Sequence, residues 1–256
     1  MKKAELKEFL DNLYFKYHKK QSSKDPIWTL HKFQNERDIE IAGLIISSYA
    51  YGRVDQINQF THRFFERINW NPYEFTINYS QIKDKKHLKG LYYRFNDEKD
   101  LSNLILGIQK ALVKYSSLKG LFAQLYSEDE VNITAPLSFF SQSITNNKIY
   151  YLLPDISKNS TAKRLNMYLR WMVRKDNIDL GIWSDKVSAS KLIMPVDTHV
   201  YKIAQKLKLV KRKSCDIKFA IELTEKLKDF DPQDPVKYDF ALCHLGIDKQ
   251  NHLLEL

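Results

Sequence analysis

The sequence predicts an all-α fold, and three observations support this prediction. Only seven Gly and seven Pro occur in 256 residues, too few for a chain of many short strands and tight turns. Hydrophobic residues make up 43% of the chain, which suits a globular core, and most recur at helical spacing. The length accommodates one large domain or two lobes that share a cleft, and no linker or internal repeat divides it.

Hydrophobic periodicity places the helices along the chain. Residues 38–52 form the most apolar run, in which Asp38 is a natural N-cap and Gly52 a natural stop, and they predict a central buried helix. Asp234 followed by Pro235 predicts the start of the last helix. The remaining helices are predicted as amphipathic segments at residues 6–17, 53–68, 100–115, 118–126, 135–144, 163–174, 200–207, 216–227 and 236–245.

The helix that begins near Lys163 has two different faces. Ser160 and Thr161 are the predicted N-cap residues. One face is predicted to be buried and the other to present cations to solvent, the second being Lys163, Asn166, Met167, Arg170 and Arg174. A lysine at a helix start opposes the helix dipole, which favours an external anion such as phosphate beside it. A solvated lysine on an ordinary amphipathic helix is the alternative interpretation.

Asp197 stands where an N-cap residue belongs. It precedes a helical stripe that begins at Val200, so one interpretation is a plain helix cap that stabilises by about 1 kcal/mol. The other is a carboxylate held at a helix start and facing a cleft.

Three segments resemble the helix-hairpin-helix DNA glycosylases of the endonuclease III superfamily. Pro-Val-Asp-Thr-His-Val at residues 195–200 is similar to the VDTH segment that carries the catalytic Asp of that superfamily. Lys-Arg-Leu-Asn at residues 163–166 resembles the Lys-x-x-Asn that opens the second hairpin helix, and Leu-Pro at residues 153–154 resembles the start of the hairpin. The resemblance implies a two-lobed glycosylase-like fold over residues 1–256, with hairpin and catalytic segment at about 150–210 and the terminal helices packed together.

A wider resemblance covers most of the chain. The motifs KRLNMYLRWMVR, DLGIW, PVDTHV and DPVKYDFAL resemble an uncharacterised bacterial family common in Bacteroidetes. The separation of Lys163 and Asp197 is longer than in endonuclease III and similar to that in archaeal 8-oxoguanine glycosylases. One departure is clear, because residues 155–160 contain no Gly where the usual hairpin carries Gly-x-Gly.

The glycosylase resemblance implies base excision on damaged duplex DNA. Lys163 would be the nucleophile that forms a Schiff base and Asp197 the assisting carboxylate, with or without cleavage of the abasic site. The missing Gly-x-Gly favours an alternative, a nucleic-acid-binding protein that keeps the fold without catalysis. A third interpretation is a helical protein whose basic faces bind a protein partner.

The same resemblance implies roles for further residues. Nucleic-acid contacts are expected from Lys158, Ser160, Arg164, Asn166, Arg170, Arg174, Lys206, Lys211 and Arg212. The base pocket is expected to include Ser47, Ser48, Trp171 and Trp183, for which core packing is the alternative. Residues 73–94 interleave basic side chains with Tyr92 and Tyr93, which suits base stacking and equally a solvated helix end.

Composition bounds the partner and the compartment. A net charge of +10 and a pI of about 9.3 favour a polyanionic partner, although a lysine-rich proteome gives the same balance. Two cysteines exclude a disulfide framework and the four-Cys iron–sulfur cluster of endonuclease III. His199 has no second ligand at metal spacing, so we expect no metal and no cofactor. Without a transmembrane stretch or signal peptide, a cytoplasmic monomer with no membrane association is expected.

Overall fold

The computed structural model describes residues 2–18, 25–146 and 151–247 and is mostly helical. Within these ranges there is no β-strand, only two isolated antiparallel bridges, Tyr93 with Asn96 and Lys175 with Leu180. The predicted all-α class is therefore confirmed. The backbone divides into two compact units: of the described residues, unit 1 holds 2–18, 130–133 and 156–247, and unit 2 holds the rest.

Thirteen α-helices are present in the described part of the chain. In chain order they are α1 (Lys3–Tyr17), α2 (Ile27–Leu30), α3 (Glu36–Ser48), α4 (Val54–Arg67), α5 (Pro72–Ile77), α6 (Lys85–Leu88), α7 (Glu98–Tyr115), α8 (Leu118–Ala123), α9 (Thr134–Thr145), α10 (Lys163–Val173), α11 (Thr198–Lys206), α12 (Ile217–Lys228) and α13 (Asp239–Ile247). Short 3-10 helices cover Ile156–Lys158, Ala189–Lys191 and Pro235–Tyr238.

In unit 1 the first and last helices pack together, as predicted. α1 buries Leu6, Leu10 and Leu13 and contacts α13. The Tyr238 hydroxyl donates a hydrogen bond of 2.7 Å to the Asp11 carboxylate on α1. These contacts fix the start of α13, which carries a residue of the candidate site.

α11 and α13 approach each other closely because a glycine lies at the contact. A Cβ built at Gly246 would lie 2.8 Å from the Cβ of His199, closer than packed side chains allow. Gly246 therefore sets the spacing of the two helices, and with it the position of Asp197 relative to α13.

The predicted central buried helix of unit 2 is α3, in which all residues from 39 to 48 are buried. It begins earlier than predicted, because Asn35 and not Asp38 accepts a hydrogen bond from the Arg37 amide. Asp38 instead accepts from the Tyr73 amide in the first turn of α5.

Candidate functional site

Lys163 is the first residue of α10 and is half-buried. The predicted Ser160–Thr161 cap is wrong, because the cap position is Ala162, in the left-handed region at φ 44°, and no side chain caps the helix. The Ser160 hydroxyl accepts from the Ala162 amide at 3.0 Å and so stabilises the turn before the helix. Among the described residues, no side chain forms an ion pair or hydrogen bond with Lys163 Nζ.

Asp197 caps α11, as the sequence predicted. Its Oδ1 accepts from the backbone amides of His199 at 2.8 Å and Val200 at 2.9 Å. Its Oδ2 lies 3.8 Å from the thiol sulfur of Cys243 on α13. One oxygen is thus fixed by the helix N-terminus, which also favours the negative charge.

Asp239 is the first residue of α13, and the charges of both Lys163 and Asp197 act on it. Its carboxyl is buried and accepts a hydrogen bond from Arg170 Nη1. Burial raises the pKa of Asp239 to about 6; the positive charges of Arg170 and Lys163 lower this pKa, and the Asp197 carboxylate raises it. Lys163 and Asp197 therefore both act electrostatically on one buried carboxyl within unit 1.

The prediction that α10 presents a cationic face to solvent is wrong, because residues 165–173 are all buried and Arg174 is only 6% exposed. Arg170 pairs with Asp179 and Asp239. Arg174 pairs with Asp176, Asp179 and Asp234, its Nε lying 2.8 Å from an Asp234 oxygen. The carboxylates cover the face that was predicted to be exposed.

The carboxylates around Arg174 stabilise the positive charge of its guanidinium. Burial alone lowers the pKa of Arg174, but Asp179, Asp234 and Asp176 more than offset it and raise the pKa above its usual value. The guanidinium is thus charged and occupied inside the protein. Arg170 and Arg174 are therefore not at the surface, where the predicted phosphate contacts would require them.

Other residues expected to contact nucleic acid differ in exposure. Lys158, Lys206 and Lys211 are exposed, and Arg164 is half-buried. Arg212 binds both oxygens of Asp216 and holds the pKa of that carboxyl at about 2.

Asn166 does not reach the surface. It is 1% exposed, and its Nδ2 donates to the Thr161 carbonyl at 2.8 Å. Its role is to hold the turn before Lys163, so the predicted nucleic-acid contact is wrong.

The four residues expected in a base pocket are buried, and the structure favours their core interpretation. Ser47 and Ser48 lie on α3 in unit 2, where both hydroxyls donate to the Leu44 carbonyl of their own helix. Trp171 and Trp183 are fully buried in unit 1, and Trp183 packs edge-on against Tyr168. The predicted stacking role of the two tryptophans is therefore wrong.

Comparison with known proteins identifies a family for the chain. Residues 25–248 match the family model described as "Protein of unknown function (DUF2400)". The chain belongs to this family. The match includes the three site residues Lys163, Asp197 and Asp239. No curated protein and no solved structure matches this DUF2400 protein significantly.

Two further features of this DUF2400 protein concern metals and membranes. Among the described residues, no three His, Cys, Asp or Glu side chains are grouped as metal ligands would be. No helix in the same part of the chain combines the length and the apolar character needed to cross a membrane.

Sequence reasoning missed Asp239. The motif DPVKYDFAL drew attention to Asp234 as a helix cap, but Asp234 makes no capping bond and pairs with Arg174. The residues after it form the 3-10 helix Pro235–Tyr238, and α13 begins only at Asp239. The available signal was a second Asp five residues later, at the start of the apolar stretch.

Proposed function

We propose that this DUF2400 protein is a DNA base-excision enzyme, a glycosylase on damaged duplex DNA with abasic-site lyase activity. Lys163 is the nucleophile and Asp197 the assisting carboxylate. The observation that carries the proposal is that α13 links the two residues: its Asp239 pairs with Arg170 on the helix that Lys163 begins, and its Cys243 thiol lies 3.8 Å from the Asp197 carboxylate. Residues 163–166 and 195–200 supply the glycosylase-like motifs.

The carboxylate has a clear role in breaking the glycosidic bond. As the bond between C1′ and the base nitrogen breaks, its electron pair leaves with the base and positive charge develops on the sugar. Asp197 is suited to stabilise that charge, since Oδ1 is fixed by two amides and Oδ2 makes only a long contact with a thiol. The base takes up a proton as it leaves.

The lysine acts on the same carbon. The uncharged Lys163 amine bonds to C1′. Its nitrogen then forms the double bond of the Schiff base as the bond from C1′ to the ring oxygen breaks, and the proton that the amine loses passes to that oxygen, which becomes a hydroxyl. Removal of a proton from C2′ breaks the bond between C3′ and its oxygen, which releases the 3′ phosphate and cuts the strand. No side chain of the described residues pairs with Lys163, so no ion pair has to break first.

Exposed lysines supply the electrostatic part of binding. Lys158 precedes α10, Lys206 ends α11 and Lys211 follows it, so all three belong to the unit that carries the catalytic residues. Together with the net charge of +10, they favour a polyanionic substrate whose affinity falls as salt rises.

Borohydride trapping tests the proposal. Wild-type protein is incubated with duplex DNA that contains an abasic site, and separately 8-oxoguanine, and sodium borohydride reduces any Schiff base to a stable amine. We expect a covalent adduct with wild type, none with Lys163→Ala, and at least a tenfold slower base release with Asp197→Asn. Lys175→Ala is the matched control, because Lys175 is exposed just beyond the other end of α10.

The other interpretations predict different results. Salt-sensitive binding without an adduct or base release would support the non-catalytic nucleic-acid-binding protein. Neither adduct nor binding would leave a protein partner as the remaining interpretation and contradict the proposal.

A further inference from the structure

A tight turn in unit 2 presents aromatic side chains to solvent. Tyr93 and Asn96 are joined by two backbone hydrogen bonds of 2.9 Å each, which close residues 92–96 into what we call the aromatic turn. Arg94 occupies the left-handed region at φ 55°. Phe95 lies beside it at the tip.

Side-chain hydrogen bonds to Tyr51 and to Asp100 hold this turn in place. The Tyr51 hydroxyl donates to Asn96 Oδ1 at 2.6 Å, and the Tyr93 hydroxyl donates back to the Tyr51 carbonyl. Asn96 Nδ2 donates to Asp100 on α7 at 3.0 Å. The turn is therefore a rigid support, and binding to it orders little additional chain.

Two of the three aromatic rings on the turn are exposed, and Tyr93 is buried. Phe95 is 71% exposed and Tyr92 65%, and Tyr151, whose ring centroid lies 6.1 Å from that of Phe95, is 48% exposed. Single exposed aromatics are ordinary, but a cluster on a rigid turn indicates a binding surface.

One arginine lies close to these rings, and a second lines the adjoining cavity. The Arg94 guanidinium lies 5.2 Å from the Phe95 ring centroid and 5.6 Å from that of Tyr51. Arg94 also lines a shallow cavity of about 180 Å³ with Arg63, Tyr92, Gln56 and Gln59. Asp55, on the adjoining α4, is paired with Arg53 at 2.7 Å, so its charge is already compensated.

We propose that the aromatic turn binds unpaired bases of a single-stranded nucleic acid. Phe95 and Tyr92 offer ring faces for stacking, while Arg94 and Arg63 contact backbone phosphates. Arg94 and Arg63 decide between possible occupants, because an apolar protein surface would leave both arginines without partners. The neighbouring carboxylates of Asp97 and Asp100 are already engaged in the cap of α7. This site adds to the proposed function and does not depend on the chemistry at Lys163.

Fluorescence anisotropy with a fluorescein-labelled single-stranded 12-mer tests this site in the full-length protein. A second oligonucleotide, carrying 2-aminopurine, reports stacking through quenching of its fluorescence. We compare Phe95→Ala, Phe95→Trp and Phe15→Ala; Phe15 is a matched control because it is 70% exposed on α1. Thermal unfolding verifies that each variant is folded.

We expect Phe95→Ala to bind at least about tenfold more weakly and to lose the quenching, since stacking on one ring is worth about this much. Phe95→Trp should keep both properties, and Phe15→Ala should match wild type. The proposal is overturned if wild type does not bind the strand, if Phe95→Ala binds as tightly as wild type, or if both alanine variants weaken equally.

The two proposals fail separately. Strand binding that depends on Phe95, in a protein that forms no Lys163 adduct, supports this site and contradicts the enzyme. If an adduct forms at Lys163 and Phe95→Ala binds the strand as wild type does, the enzyme is supported and this binding site is contradicted.

Discussion

Arg170 and Asp239 form a buried ion pair between α10 and α13. Lys163 lies on the same helix as Arg170, seven residues earlier, and its charge also acts on Asp239. α11, which Asp197 caps, packs against α13, and the negative charge of Asp197 also acts on the Asp239 carboxyl. The ion pair thus joins α10 to α13, and α13 also packs against α11, so α13 contacts both the helix that begins at Lys163 and the helix that Asp197 caps.

The first prediction concerns the pH dependence of stability. The pKa of Asp239 is raised from 3.8 to about 6, so between these values the folded protein holds a proton that the unfolded chain has lost. The resulting stabilisation is full below about pH 4 and is lost as pH rises through 6. Asparagine at this position cannot ionise. Between pH 4 and 7 we therefore expect the free energy of unfolding of wild type to fall by up to about 3 kcal/mol relative to that of Asp239→Asn.

Urea unfolding at several pH values measures this difference. Asp216→Asn is the control, because the pKa of Asp216 is about 2 and its contribution stays constant above about pH 4. Parallel pH profiles of wild type and Asp239→Asn would show that the ionisation of Asp239 does not differ between the folded and unfolded states.

The second prediction separates capping from catalysis at Asp197. Asn is as good an N-cap as Asp, so Asp197→Asn should keep the stability of wild type, whereas Asp197→Ala should lose about 1 kcal/mol. Both variants should lose base release, because both lack the carboxylate. Urea unfolding and a base-release assay on the same samples check this, and activity retained in Asp197→Asn would exclude a catalytic role.

The third prediction concerns Arg174. Replacing it by Met removes the arginine partner of the half-buried Asp234 carboxylate and leaves the buried Asp179 carboxylate with Arg170 alone, and we expect a loss of about 3–5 kcal/mol in the free energy of unfolding. Denaturant unfolding measures the loss. Unchanged stability together with weaker DNA binding would show instead that Arg174 acts on phosphate.

The fourth prediction concerns the exposed lysines at and after the end of α11. Lys206→Gln with Lys211→Gln should weaken DNA binding uniformly across sequences and reduce the salt dependence by about one phosphate contact for each lysine. Lys110→Gln, an exposed change on α7, should leave the slope unaltered. Binding titrations at several salt concentrations measure the slopes, and equal slopes in all proteins would remove these lysines from the interface.

Local sequence patterns predicted the features that depend on neighbouring residues. The apolar periodicity indicated the helices, and Asp197 was identified as a cap because a cap needs only the two amides that follow it. The buried character of α3 followed from its composition alone. The packing of α1 against α13 followed from the resemblance.

The partners of α10 could not be predicted in this way. Its periodicity gives a cationic face, but the carboxylates that cover this face come from residues 176, 179, 234 and 239, far along the chain or in an irregular loop. Asp239 likewise gains its raised pKa only when α13 packs against neighbouring helices. Long-range pairing of charges leaves no periodic signal, so Arg170 and Arg174 were assigned to the surface.

The most direct test of the central claim is to locate the adduct. Wild-type protein is trapped with borohydride on DNA containing an abasic site, digested with nuclease and protease, and analysed by mass spectrometry. The account predicts that the reduced sugar is attached to Nζ of Lys163. Attachment to another lysine, or to the N-terminal amine, would contradict it.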